Sequence, residues 1–169
     1  MSRPYSSLLE KYGYDPLPYF KEPYQSPYNS PELAKRYPLI IFTGAKVHMY
    51  WHSDGRWLSW ARKLQPDPIV EFHPQAAEER GIKDGDWVWI EAPNGRRVKM
   101  RAKLTDALHP RVVSAQHGWW FPEEPGPEHG CFKSNINVIT SCDPPFDPIS
   151  GSPVLKGFLC QIYKYQEGE

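Results

Sequence analysis

The sequence predicts a mainly β domain, closed or sandwiched, on three observations. Seven short β-type runs follow Pro38 within about 125 residues, turn chemistry separates them, and the prolines crowd into two clusters that leave the centre clear. Nineteen prolines among 169 residues are about twice the usual share of roughly 5%. They divide the chain into an N-terminal arm at 1–37, a core at 38–165 and a short tail at 166–169.

The arm is read first. Its segment DPLPYFKEPYQSPYNSPELAKRYP interleaves prolines with Tyr19, Phe20, Tyr24, Tyr28 and Tyr37, a composition that favours extended backbone carrying aromatic rings. Two readings stay open: a linker lying on its own domain, or a strap across a partner chain. The core runs are PLIIFT, IVEFH, DWVWIEA, RRVKMRAKLT, RVVSAQ, NINVIT and GFLCQIYK. Two short helices interrupt them, WLSWARKL and PQAAEERG, the latter opening on Pro74 and closing on Gly81.

One hairpin can be read to its register. Ala92-Pro93-Asn94-Gly95 suits a three-residue loop with a glycine bulge, so Ala92 faces Arg96. Counting outward, Ile90 opposes Val98 and Val88 opposes Met100 on an apolar face. The other face sets Glu91 by Arg97, Trp89 by Lys99 and Trp87 by Arg101. The basic residues at 97, 99, 101 and 103 are then a solvated outer face.

Composition excludes several function classes. Twenty Lys+Arg balance twenty Asp+Glu, so nothing points to nucleic acid or an anionic membrane. No apolar run reaches the ~18 residues of a spanning helix, and MSRPYSSLLEKYG lacks the regions of a signal peptide. Cys131, Cys142 and Cys160 form no CxxC pair, which argues against a disulfide framework and a cysteine-built metal site. Free thiols and even charge lean toward the cytoplasm without deciding the compartment.

The candidate chemistry lies in Thr43-Gly44-Ala45-Lys46-Val47-His48-Met49-Tyr50-Trp51-His52-Ser53, directly after a strand. Glycine lets backbone amides approach a ligand, Thr43 and Ser53 offer hydroxyls, and Lys46 adds charge. His48 and His52 are four apart, but no helical pattern runs through them and no third ligand is near, which disfavours zinc. His117, in Gln116-His117-Gly118-Trp119-Trp120, lies where a strand enters a proline-rich loop and borders the candidate site. The two indoles are read as contacts to further protein mass. Asp84 and Asp86 are read as turn residues.

TGAKVHMYWHS resembles the T-G-R…W-H-[ST] loop that opens the C-terminal domain of molybdopterin oxidoreductases of the dimethyl sulfoxide reductase family. Further pieces follow in that family's order: EFHPQAAEERGIKDGDWVWIEAPNG, RAKLTDALHPRVVSAQHGWW and SNINVIT. The likeness spans residues 37–164. It implies a double-psi β-barrel, six-stranded and closed, with short helices and the Pro/Tyr-rich arm. It also implies binding of molybdopterin guanine dinucleotide, with molybdenum or tungsten held by a partner domain or chain. By position, Thr43, Gly44, Lys46, His48, His52 and Ser53 line one side of that site, with Asn137 on another, and Lys156 in PVLKG reaches the cofactor. The chain departs from the family where Ala45-Lys46 replaces an arginine after T-G, which keeps the charge but loses the planar fork.

The resemblance further implies a non-catalytic part of an oxidoreductase, either the C-terminal portion of a longer polypeptide or a small subunit. Its partners are then the metal-holding domains or a larger catalytic subunit, and an iron–sulfur subunit. The alternative is a cofactor-free interaction or assembly module with the same barrel.

Overall fold

The computed structural model describes residues 5–17, 20–45, 47–147 and 150–166. Six strands close into a barrel: β1 Leu39–Ala45, β2 Ile69–Phe72, β3 Trp87–Glu91, β4 Arg97–Leu104, β5 Val112–Gln116 and β6 Phe158–Lys164. Around the barrel they run β1-β5-β2-β4-β3-β6. The pairs β1/β5 and β2/β4 are parallel and the remaining pairs are antiparallel, as a double-psi barrel requires. Closure leaves no sheet edge to protect.

Alternation along each strand fills the interior. Leu39 and Ile41 of β1, Val70 and Phe72 of β2, Val88 and Ile90 of β3, Val98 and Met100 of β4, Val113 and Ala115 of β5 and Ile162 of β6 are buried in one cluster. The β3–β4 hairpin has the register its turn chemistry demands, with Ile90 opposite Val98, Val88 opposite Met100 and Trp87 opposite Arg101. Gly95 takes φ +75 and its N–H donates to the Ala92 carbonyl at 2.9 Å. On the outer face the cations lie over rings, Arg97 4.2 Å from the Trp89 centroid and Arg101 4.4 Å from that of Trp87. Arg101 also pairs with Asp67 and Lys103 with Glu71. Such exposed contacts stabilise modestly, about 0.5 to 1 kcal/mol each.

NINVIT is not a strand. It forms the 3₁₀ turn Ile136–Val138 after α5 Cys131–Ser134, so six strands stand where seven runs were expected. Ile136 and Ile139, three apart, both enter the core, and the Asn135 side chain accepts from the Asn137 N–H at 3.1 Å. That local bond offers the backbone an alternative to a ladder. The other helices of the core are α3 Ser59–Leu64 and α4 Pro74–Glu78, the latter opening on its proline.

The arm is less extended than its composition suggests, since it holds α1 Ser7–Lys11 and α2 Pro31–Arg36. Its second half lies on its own barrel. Tyr37 is buried and donates to Glu91 at 3.2 Å, and Pro23 approaches Gly157. Phe20 and Tyr28 stay exposed, and Tyr19 lies outside the described residues.

Asp84 and Asp86 are turn residues: Asp84 accepts from the Leu104 N–H at 2.8 Å and Asp86 from the Lys83 N–H at 2.9 Å. Lys164 also donates to Asp86 at 2.9 Å, and this ammonium, then the Lys83 amide, hold the Asp86 carboxyl below the usual aspartate range. The depressed value means its contribution is present above the ordinary aspartate range and is lost as pH falls through the folded value. Urea unfolding of wild type and Asp86→Asn across that range should show a difference well under about 1 kcal/mol near neutrality that shrinks toward zero in acid.

Burial also ranks the thiols. Cys142 is exposed, Cys131 is half-buried, and Cys160 is enclosed in the barrel, where desolvation pushes its pKa up. A thiol reagent should label Cys142 first and Cys131 more slowly, and Cys160 only when the chain unfolds. Labelling of Cys160 in the native chain at the rate of Cys142 would contradict the closed barrel.

Candidate functional site at the barrel mouth

The parallel strands β1 and β5 end side by side. Their ladder slips between Thr43 and Ala45, so that Gly44 bulges out at φ +92. That backbone is strained for any residue with a Cβ. Beside the bulge runs the segment before β6: Thr43 Oγ1 donates to the Leu155 carbonyl at 2.6 Å, and the Lys156 side chain lies over Gly44. The β3–β4 turn reaches the same end, because Glu91 pairs with Gln161 on the strand whose Phe158 pairs with Ile41. Asn94 then donates to the Ile139 carbonyl at 3.2 Å, which brings the 136–139 turn to this mouth.

Two long connections meet over the end of β1 and β5. Val47, Tyr50 and Ala61 from one pack with Trp119 and Phe121 from the other in a second apolar cluster. Trp119 is therefore a core residue of this domain and not the outward contact expected from the sequence. At the cluster's centre lies Arg56, only 1% exposed, its guanidinium 4.0 Å from the Tyr50 ring and 4.4 Å from the Trp119 ring. One of its nitrogens donates to the His52 carbonyl at 3.0 Å and reaches the Gly118 carbonyl at 3.5 Å. Burial lowers the Arg56 pKa to about 10, which leaves it a cation at neutral pH. Nothing in the sequence separated Arg56 from the solvated arginines of β4, because only the tertiary meeting of the two loops buries it.

The loops also join their histidines. His52 adopts φ +51, and its Nδ1 lies 2.8 Å from His117 Nε2, while His117 Nδ1 lies 3.2 Å from the Ala45 carbonyl. Gly118, at φ +67, sits so close that a Cβ there would stand 3.1 Å from the Ser53 nitrogen. Trp120 Nε1 donates to the Ser53 carbonyl at 2.6 Å. Gln116 faces the other way, its side-chain oxygen accepting from Ile69 N–H at 3.0 Å and Gln65 Nε2 at 2.6 Å.

The expected site residues thus fall into groups. Thr43, Gly44 and Lys156 meet at the bulge, and His52, Ser53 and His117 meet beside it. Asn137 lies on the turn that Asn94 anchors; its side-chain amide makes no hydrogen bond among the described residues. His48 stands apart from the pair, lining a cavity of about 250 Å³ with Gln65, Glu71, Lys103 and Gln116. Lys46 lies outside the described residues. Among the described residues no cluster of His, Cys, Asp or Glu can hold a metal.

These donors fit a large anionic heterocyclic ligand. Ser53 Oγ, the Asn137 amide and the Lys156 ammonium are exposed and unpaired among the described residues, and none of the three is acidic. An amide presents donor and acceptor in one plane, which matches a pterin or purine edge, and an ammonium matches phosphate.

Comparison with known proteins agrees. The family model described as "Molydopterin dinucleotide binding domain" matches residues 39–159. Acetylene hydratase of Syntrophotalea acetylenica is 39% identical over 95% of this chain and 23% of its own length. Dopamine dehydroxylase of Eggerthella lenta is 38% identical over 88% of the chain and 14% of its own length. The solved acetylene hydratase from Pelobacter acetylenicus superposes with a TM-score of 0.85 at 37% identity, over 95% of this chain and 23% of that one. The chain therefore spans less than a quarter of the length of these relatives. It belongs to the molybdopterin dinucleotide-binding domains of the dimethyl sulfoxide reductase family, whose cofactor is molybdopterin guanine dinucleotide.

Proposed function

We infer that this chain closes over the pterin dinucleotide of a molybdenum or tungsten oxidoreductase and does not turn over substrate by itself. The observation that carries this reading is the barrel mouth, where Gly44 bulges and Ser53, Asn137 and Lys156 leave side-chain donors unpaired among the described residues, within the stretch that matches the family. By the motif likeness Thr43, Gly44, Lys46, His48, His52 and Ser53 belong to one wall with Asn137 on another; Lys156 lies over Gly44, His117 bonds His52, and His48 lines a separate cavity. Thr43 contributes through its backbone, since its hydroxyl is held by Leu155. Lys46 and His48 are placed by position along the loop.

When bound, the cofactor supplies redox chemistry through its metal, which other protein mass holds. The residues here orient the dinucleotide and exclude water from it. The relatives named as a hydratase, a dehydroxylase and a sulfite dehydrogenase share this domain while differing in substrate. A part common to different reactions does the work common to them, which is holding the cofactor. An iron–sulfur centre, on that larger mass or on a further subunit, is the electron partner expected.

The test is to purify the native complex containing this chain and measure molybdenum, tungsten and released guanine nucleotide. Each hydrogen bond to a charged ligand contributes about 1.5 to 3 kcal/mol, so Ser53→Ala, Asn137→Ala or Lys156→Ala should each loosen cofactor retention about tenfold or more. Metal and nucleotide content unchanged in all three variants would favour the cofactor-free assembly module instead.

A further inference from the structure

The hydrogen bonds of His52 and His117 determine where their protons sit. A carbonyl only accepts, so His117 Nδ1, 3.2 Å from the Ala45 oxygen, must carry a hydrogen. In a neutral ring that leaves Nε2 as an acceptor. The 2.8 Å contact then requires His52 Nδ1 to donate. Neutral His52 is therefore held as the Nδ1–H tautomer, with a lone pair on its outer Nε2.

Uptake of one proton has one entry point. It arrives at His52 Nε2, after which the bridging hydrogen can lie on either ring and the hydrogen bond survives. A second proton would place two donors against each other and break the bond, so the pair carries at most one extra proton while the 2.8 Å contact lasts. Arg56 holds the His52 carbonyl and Gly118 packs on the His52–Ser53 backbone, so the strained φ +51 of His52 is fixed by its surroundings. The other charged or titratable groups nearby are His48 and Asp54 on the same loop and Lys156 beside Gly44. None of them hydrogen-bonds either ring among the described residues.

We propose that His52 and His117 form a one-proton unit in which His117 is a positioning residue, setting His52 Nε2 to face the bound cofactor as an acceptor when the pair is neutral and as a donor when it is protonated. This rests on the cofactor-closing reading for its second half only. The pair itself is a property of the chain without ligand.

Imidazole ¹⁵N NMR of the full 169-residue chain, titrated with acid, tests the first half. The expected result is the Nδ1–H form for both rings when neutral and a first proton whose uptake moves the nitrogen signals of both rings together. His117→Ala, which removes the acceptor, should return His52 to the Nε2–H form that free neutral histidine prefers. A first proton in the wild-type chain that moves the nitrogen signals of one ring and leaves the other ring unchanged would overturn the proposal, whatever the variant does.

The second half is read in the native complex as the midpoint potential of its metal centre against pH. An inflection at the pair's titration that vanishes in His52→Gln and moves in His117→Ala supports it. A potential whose pH dependence is identical in wild type and both variants overturns it. Failure of the lid reading would show separately, as a complex without metal and nucleotide.

Discussion

The parallel pairing of β1 with β5 is the constraint on which the site depends. Two strands that run the same way must end at the same mouth, and their continuations therefore leave the barrel together. The ladder sets Ala45 against Gln116, so Ala45 and His117 are neighbours before any loop contact forms. The 47–62 and 117–130 connections then have a short path to each other, and their apolar residues find cover in a cluster outside the barrel. An antiparallel arrangement would have sent the two histidine loops to opposite ends.

Arg56 shows how tightly that second cluster is bound to the site. Moving a guanidinium out of water costs several kcal/mol, and among the described residues no carboxylate pairs with it to offset the loss. Partial compensation comes from Tyr50 and Trp119, two rings set edge to face 5.7 Å apart and both against the guanidinium, each desolvated cation–π contact contributing up to about 2 kcal/mol, together with contacts from one terminal nitrogen to backbone oxygens, while Nε and the other terminal nitrogen have no hydrogen-bond partner among the described residues. Those oxygens belong to His52 and Gly118, one from each loop. The same side chain that fills the small core therefore clasps the two segments carrying the imidazoles. A leucine at this point would hold neither carbonyl.

How much of this was legible depended on how local the information was. The Ala92–Gly95 turn specifies its own register through proline and glycine, and the facing pairs follow by counting. The alternating runs of β1 to β6 likewise show which side is interior. NINVIT misled because Ile136 and Ile139 mimic a strand's apolar residues, while the Asn135 cap, visible only once the backbone turns, closes a 3₁₀ turn instead. Arm helices α1 and α2 were hidden by proline content, although Pro31 stands where a helix can begin. The motif likeness assigned Thr43 and Gly44 to one side of a site, Asn137 to another and Lys156 to the cofactor, and Thr43, Gly44 and Lys156 meet at the bulge. It could not pair His52 with His117, which are 65 residues apart, nor mark Arg56 as buried.

The loop that carries His52 and Ser53 also carries Trp51, Trp57 and Trp60, which are 70%, 60% and 56% exposed. Large exposed rings so close together cost hydration free energy until something apolar covers them. On the lid reading, the same segment that reaches the dinucleotide also meets the protein mass that holds it, so docking and closure become one event. Covering the indoles removes water from beside Ser53 and the His52 ring at the moment the cofactor is enclosed. In a site so dried, hydrogen bonds proposed from Ser53, Asn137 and Lys156 would gain electrostatic strength, and the proposed protonation state of the histidine pair would weigh more on a neighbouring redox centre than in bulk water.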